Sequence, residues 1–328
     1  MVEQDQDIIE IRFQVEPSCH GWRLDRYLQH KVKRLSRTRI AQVIRQLLLL
    51  NGSPAHKPGI RVRRGDELLI RRPTPVEPDV PRTFEVLADG PGYLAVSKPA
   101  GLPVHPTARY LNNTLTALIR ERYGPDSGIN MAHRLDRETS GIVLFGTNPA
   151  ATRQLKLAFR DGLVQKRYLA VVHGDLAEPA LVDLPLGPAP GSVIRIRMGV
   201  LEGGQPACTR LEPLRRYGTH TLVQASPVTG RQHQIRVHLE ALGHALVGDK
   251  LYGHPDDFFL GLIETGVTPE LATVLQLERH ALHAARIRFP VPDGSGTEAE
   301  VEAPLPPDLR RFLQRLDTAA AATPPTPS

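Results

Sequence analysis

The chain has 328 residues, 41% of them hydrophobic and 23% charged, enough to bury a large core and to form one large globular domain with a smaller companion. No apolar run approaches the roughly 20 residues that a membrane-spanning helix needs. The opening Met-Val-Glu-Gln-Asp-Gln-Asp also lacks the basic and apolar segments of a signal peptide, so the expectation is a cytoplasmic protein with no membrane partner. Cys19 and Cys208 alone exclude a disulfide framework and any multi-cysteine metal site.

The net charge of +6 is unevenly spread. Residues 20 to 72 hold fourteen Lys and Arg against Asp25, Asp66 and Glu67, a local charge of +11 that leaves −5 for the rest of the chain. A field so concentrated points to a polyanion, most simply nucleic acid.

In chain order, Ile8 to Val15 opens with two apolar residues and then alternates, which predicts a strand. Gly21 to Leu28 reads as a short helix with Leu24 and Leu28 on one face. Ser36 is suited to cap a second helix, in which Ile40, Val43, Ile44 and Leu47 recur at helical spacing while Arg37, Arg39 and Arg45 take the other face. The apolar run Leu47 to Leu50, the turn Asn51-Gly52 and a strand pair around Gly65-Asp66 complete two helices on a small sheet. Four prolines from Pro73 to Pro81 predict an extended, stiff linker.

Past the linker, residues 84 to 87 and 93 to 97 read as strands, and Lys98 to Pro106 as a long rigid loop. A capped helix follows at Thr114, with Leu115, Leu118 and Ile119 on its apolar face and Gly124-Pro125 as its stop. The stretch Met131 to Gly141 then runs into Ile142-Val143-Leu144-Phe145, a buried strand bounded by Gly141 and Gly146. Asp136 is thereby held in the loop that feeds a core element. His133, Arg134 and Arg137 flank it and could keep the carboxylate ionised or hold a phosphate-bearing substrate. The plainer possibility is a turn built by Asp136 and Thr139.

Asn148-Pro149 starts a helix that runs to Arg160, and Leu163 to Val172 reads as an interior strand carrying Tyr168, by itself a residue more often core than catalytic. Residues 174 to 206 are loops containing a strand-like Val193 to Arg197. Leu222 to Val228 is strand, and Ile235, Leu239 and Leu242 make one face of a helix with Gly243 at its end, Arg236 and Glu240 pairing at i,i+4, and Arg231 at its mouth. A helical hairpin is expected over 255 to 278, a last core strand at Ile287 to Phe289, and a disordered tail from 317 to 328. His233 and His238 lie five apart, on different helix faces, unlike the four-residue spacing of a zinc pair.

The elements from 20 to 72, through Arg23-Leu24-Asp25, Ser36-Arg37, Asn51-Gly52 and Gly65-Asp66, resemble the small α-L RNA-binding domain found in several RNA-modifying enzymes. Arg37, Arg39 and Arg45 would then contact phosphates, giving affinity and salt dependence without reading sequence. Farther on, His133-Arg134-Leu135-Asp136-Arg137-Glu138-Thr139-Ser140-Gly141, Lys166-Arg167-Tyr168, Gly230-Arg231-Gln232-His233-Gln234-Ile235-Arg236-Val237-His238-Leu239, Gly248-Asp249 and Leu282-His283-Ala284 occur in the order seen in the RluA branch of the ribosomal large-subunit pseudouridine synthases. That resemblance covers about residues 84 to 290. It implies an α+β pseudouridine synthase fold with a mixed, mainly antiparallel sheet, flanking helices and a central catalytic cleft, behind a small N-terminal α+β RNA-binding domain.

The domain plan that follows is a strand segment at 1–19, the RNA-binding domain at 20–72, the linker at 73–81, the catalytic domain at 82–316 and a tail at 317–328. The resemblance further implies uridine isomerisation in RNA without cofactor or metal, by a monomer acting on large-subunit ribosomal RNA, with transfer RNA as the second candidate. A non-catalytic RNA-binding ribosome-assembly factor would suit the basic N-terminal region equally. Asp136 carries over as the catalytic carboxylate, Arg231 as its buried ion-pair partner, and Tyr168 as the ring that stacks on the extracted base. Arg134 matches the residue that fills the gap left by a flipped nucleotide, with His133 beside it at the RNA and supporting the loop, as Thr139 does.

Overall fold

Residues 8–32, 35–73, 76–107 and 109–322 are described by a computed structural model, in which the chain divides into two units, Met1–Val76 and Glu77–Ser328. In the first unit the strand β1 (Ile8–Gln14) alternates between exposed and part-buried residues and is followed by helices α1 (Leu24–Lys31) and α2 (Arg37–Leu47). Three further strands, β2 (Leu48–Leu50), β3 (Ser53–Pro54) and β4 (Glu67–Pro73), complete a sheet in the order β1-β4-β2-β3. Leu24, Tyr27, Ile40, Ile44 and Leu68 fill its core. Ser36 caps α2 as its position suggests, its Oγ accepting the Arg39 N–H at 3.3 Å.

Two expectations change in this unit. β1 is not a separate leader, since it runs antiparallel to β4 from Ile8↔Pro73 to Gln14↔Glu67. Nor does a strand pair flank Gly65-Asp66, because only Glu67 onward is strand. The Asp66 carboxylate accepts N–H groups from Arg63 (2.7 Å) and from the Asn51 side chain (3.0 Å), which turns the backbone locally instead of extending it.

The second unit is ordered as β5 (Glu85–Gly90), β6 (Tyr93–Lys98), α3 (Leu115–Tyr123), β7 (Asn130–Met131), β8 (Ser140–Gly146), α4 (Pro149–Arg160) and β9 (Gln165–His173). Then come β10 (Ala180–Asp183), β11 (Leu186–Pro188), β12 (Met198–Val200), β13 (Cys208–Arg216), β14 (His220–Pro227), α5 (Gln234–Ala241), α6 (Asp256–Thr265) and α7 (Pro269–Leu275). The chain finishes with β15 (Leu282–Pro290), β16 (Glu298–Glu302) and α8 (Pro307–Ala322). The large sheet follows β10-β13-β14-β9-β15-β8-β6-β5, with β16 paired to β15 and β7 to β8, while β11 and β12 pair with each other. Its pairings are antiparallel except one: β15 and β8 run parallel through His283↔Ser140 and Ala284↔Gly141. That mixed, mainly antiparallel sheet with flanking helices is the α+β architecture the sequence implied.

Local signals explain several helix ends. Thr114 and Asn148 accept N–H bonds at the starts of α3 and α4 (3.3 and 2.9 Å), and Gly124 closes α3 with φ at 91°. Four expectations need correction. The Pro-rich linker is shorter than foreseen, for the Glu77 carboxylate accepts the Asn113 N–H at 2.7 Å and ties this segment to the second unit. Val193 to Arg197 is turn, held by Asp256, which accepts from the Ser192 hydroxyl and the Arg197 guanidinium. Ile287–Phe289 is not in the last strand, since β16 follows and pairs with it. The tail is helical as far as Ala322, since an alanine run has the highest helix propensity and extends α8; residues 323–328 lie outside the described residues.

Candidate active site

The loop bearing Asp136 joins β7 to β8, and neighbouring elements fasten it from several sides. The wholly buried Lys98, at the end of β6, donates to the carbonyls of Pro99 (2.8 Å), Leu102 (2.9 Å) and Arg137 (3.0 Å). Burial pulls its ammonium down to about 7, with the nearby Arg279 acting in the same direction. Thr139 Oγ1 bonds His280 Nε2 at 2.7 Å and Ser140 Oγ bonds His283 Nδ1 at 2.9 Å, which buttons the start of β8 to β15. Gly141 makes that approach possible. Its φ is +108°, and a Cβ there would lie 2.2 Å from the Ala284 carbonyl oxygen.

Arg236, on α5, reaches the loop from 100 residues away in sequence. Its Nη1 donates to Asp136 Oδ2 at 3.0 Å, while Nε and Nη2 form a bidentate pair with Asp249 at 2.7 and 2.8 Å. Asp249 Oδ1 also accepts the N–H groups of Leu251 (2.9 Å) and Tyr252 (3.1 Å), and the guanidinium lies 4.7 Å over the Tyr252 ring. Burial alone would push both carboxyls up. At Asp136 the His233 imidazole, protonated in the acid range where a carboxyl titrates, together with Arg236 and His280 outweighs it, and at Asp249 Arg236 does, so both lie below the usual carboxylate range. The guanidinium is in turn held charged by its two acids against its own burial.

His233 stands at the N-terminal end of α5 in the left-handed region, φ 57°, with Nε2 3.8 Å from Asp136 Oδ2. Burial drops its imidazole to about 4, so the ring is neutral near pH 7.

Asp136 opens into a cavity of about 360 Å³ whose walls include His133, Arg134, Phe159, Lys166, Tyr168, Arg231, His233, Arg236 and Leu282. Tyr168 sits on β9 opposite Ala225 of β14 and Ala284 of β15, and its hydroxyl makes no hydrogen bond to a described residue. Burial, with the Asp136 charge added, raises its phenol well above the ordinary value and keeps it protonated. Lys166 donates to the Thr229 carbonyl at 2.9 Å, and burial lowers its ammonium to about 8.

The structure thus brings Asp136, Tyr168, Arg134, His133 and Arg231 to one cavity, and departs from the expected arrangement at Arg231. Arg231 is not the buried partner of Asp136. It is exposed at the rim, its Nε donating to the Pro206 carbonyl at 3.0 Å. Arg236 takes that place and does not pair with Glu240, which instead accepts from Arg197 at 2.9 Å. The signal for Arg236 lay in the helix itself: Gln234 to Leu239 are buried around the whole helix, and an arginine inside such a helix must find acids. His133 has its Nε2 occupied by the Leu144 N–H at 3.0 Å and supports the loop. Arg134 is exposed, 3.5 Å from His105 Nε2. Arg37, Arg39 and Arg45 are exposed along α2 of the first unit. Among the described residues no group of three or more His, Cys, Asp or Glu is placed to hold a metal ion, and no helix is long and apolar enough to cross a membrane.

This sequence and this fold have counterparts. A family model described as RNA pseudouridylate synthase matches residues 92–241. The ribosomal large subunit pseudouridine synthase D of Zymomonas mobilis subsp. mobilis is 33% identical over 312 residues, 90% of this chain and 94% of its own. A protein of the same name from Xanthomonas campestris pv. campestris is 34% identical over 323 residues, 94% of this chain and 93% of its own. The solved structure of human RNA pseudouridylate synthase domain containing 1 superposes with a TM-score of 0.56 at 27% identity, over 77% of this chain and 100% of that one. The chain belongs to the RNA pseudouridylate synthase family and is an RNA pseudouridine synthase, an isomerase.

Proposed function

We propose that the enzyme isomerises uridines of large-subunit ribosomal RNA and that Asp136 is its catalytic carboxylate. The observation that carries this reading is the buried chain Asp136–Arg236–Asp249 on the wall of the cavity: a carboxylate taken out of water stays ionised only beside a cation, and this cation is itself fixed by a second acid. In the reaction the bond from the base nitrogen to the ribose breaks, the ribose carbon rejoins the base at a ring carbon that gives up its proton, and the freed nitrogen takes up a proton in exchange. An ionised Asp136 suits work at that bond. A protonated Tyr168 offers the released base a ring to rest on.

A uridine within structured RNA must leave its stack to reach Asp136, at a cost of a few kcal/mol. Stacking on Tyr168 and occupation of the vacated space by the exposed Arg134 would offset it. The exposed arginines of α2 add phosphate contacts that raise affinity for RNA of any sequence. The ribosomal substrate is supported by the names of the relatives, and transfer RNA is the second reading.

Tritium release from uracil-labelled RNA tests the aspartate: Asp136→Asn should lose at least about a thousandfold in turnover while still binding RNA, and retained turnover would refute the assignment. Chemical mapping of pseudouridine in ribosomal and transfer RNA from a strain lacking the gene separates the two substrates.

A further inference from the structure

Beside Asp136 stands a polar group that the reaction as described leaves without a task. His233 is held in a left-handed backbone conformation that a residue with a Cβ adopts only at a cost of about 1 kcal/mol or more, so its placement is imposed by its surroundings. Its Nδ1 lies 2.8 Å from the hydroxyl of Tyr252. That hydroxyl already accepts the Met198 N–H at 3.0 Å. A phenol has one proton, and in this buried setting the neighbouring acceptor for it is His233 Nδ1, so Tyr252 donates to the ring. With Nδ1 accepting, the proton of the neutral imidazole sits on Nε2.

Nε2 faces the reaction cavity. It is 3.8 Å from Asp136 Oδ2, too far to be a hydrogen bond, and that oxygen is already taken by Arg236 at 3.0 Å. No described residue accepts from it. The relay from the Met198 N–H through Tyr252 to His233 therefore ends in an oriented, uncharged N–H aimed into the cavity next to the carboxylate.

We infer that His233 is a substrate-contact residue, its Nε2–H donating to an oxygen of the nucleotide, a uracil carbonyl or a ribose hydroxyl, seated against Asp136. The inference rests on the reading of Asp136 as the place of reaction. A neutral donor suits this position: it can hold an oxygen of the substrate without placing a second full positive charge beside the carboxylate that Arg236 already neutralises. Tyr252 acts through His233 and is a positioning residue, since it fixes which ring nitrogen carries the proton.

The test compares four variants by kcat/KM on uridine-containing RNA, with thermal unfolding as the check on folding. His233→Gln places an amide N–H where Nε2 was, whereas His233→Asn has its amide only as far out as Nδ1 and His233→Phe has no donor. Gln should stay within about threefold of the parent, and Asn and Phe should fall by on the order of tenfold or more, as for a lost hydrogen bond. Tyr252→Phe should give a smaller loss, because the ring is then free to carry its proton on either nitrogen. A donor and a general base part ways here, since a glutamine amide cannot take up a proton. Equal rates for Gln, Asn and Phe, or parental rates for Asn, would overturn the inference. Asp136→Asn measured alongside keeps the two claims apart: if it retains turnover the underlying reading fails, and if it is inactive while all His233 variants are unimpaired, the His233 inference alone fails.

Discussion

Two sets of arginines in the molecule use their charge in opposite ways. On α2, Arg37, Arg39 and Arg45 are exposed, and apart from an Arg39 bond to Gln42 at 3.1 Å they face solvent. In the cavity, Arg236 is buried, shared between two acids, and held over the Tyr252 ring. Exposed charges act over a Debye length of about 8 Å, are screened by salt, and add nearly independently. Buried ones are fixed in one geometry, and losing a partner leaves an uncompensated charge out of water. On the proposed function, the first arrangement would attract RNA and the second would prepare a reactive carboxylate.

The comparison is broken most severely by Arg236→Met. It should lower stability by about 3 to 5 kcal/mol, leaving Asp249 buried without its cation, and abolish turnover; denaturant unfolding and tritium release measure the two effects. A variant that unfolded like the parent would mean that Asp249 is satisfied by the Leu251 and Tyr252 N–H groups alone.

Acid should act on the buried region next. Burial lowers His233, His280 and His283 to about 4 and His133 to about 3. Each binds its proton more weakly folded than unfolded, where the ordinary value is about 6.5. Their contribution is whole above pH 6.5 and is lost as pH falls from there toward 4, at up to about 1.4 kcal/mol per pH unit for each ring. Asp136 and Asp249 have folded values below the ordinary ones, so their contribution is whole above about pH 4 and is lost only in stronger acid. Thermal melts between pH 7 and 4.5 should therefore fall steadily, and a flat profile would show that these imidazoles are solvated. His280→Gln should flatten part of the slope, because one of the two buttons between the loop and β15 would no longer titrate.

Replacing Arg37, Arg39 and Arg45 together with Gln should leave stability unchanged and reduce the salt dependence of RNA binding. The slope of log K against log salt should drop by about 2, with little change in the rate once RNA is bound. An unchanged slope would move the phosphate contacts to another face.

How much of this was legible in the sequence follows the same division. Ser36, Thr114 and Asn148 cap helices within three residues of themselves, and the alternation in β1 and the apolar run in β8 reflect burial along one element. Such signals are local. Asp136 could be singled out because its loop feeds β8, yet its partner lies on another element, and the bidentate acid, Asp249, comes from a turn after that helix. Pairing Arg236 with Glu240 by i,i+4 spacing treated α5 as a surface helix, whereas its first six residues are all buried. The alanine-rich end of α8 misled in the other direction, because low complexity was weighed above helix propensity.

The smallest expected effect falls on the arginine that the family resemblance had favoured. Arg231 stands three residues before Gln234, whose side-chain carbonyl accepts the Arg231 N–H at 2.9 Å, and its guanidinium donates from the rim to the Pro206 carbonyl. Arg231→Ala keeps that backbone bond and removes one exposed cation near the cavity mouth. It should raise the half-saturating RNA concentration by no more than about fivefold and leave the single-turnover rate at saturation unchanged, as for one screened phosphate contact. A loss of rate at saturating RNA as deep as that of Arg236→Met would mean that Arg231 swings inward when RNA binds, and that Asp136 exchanges partners during the reaction.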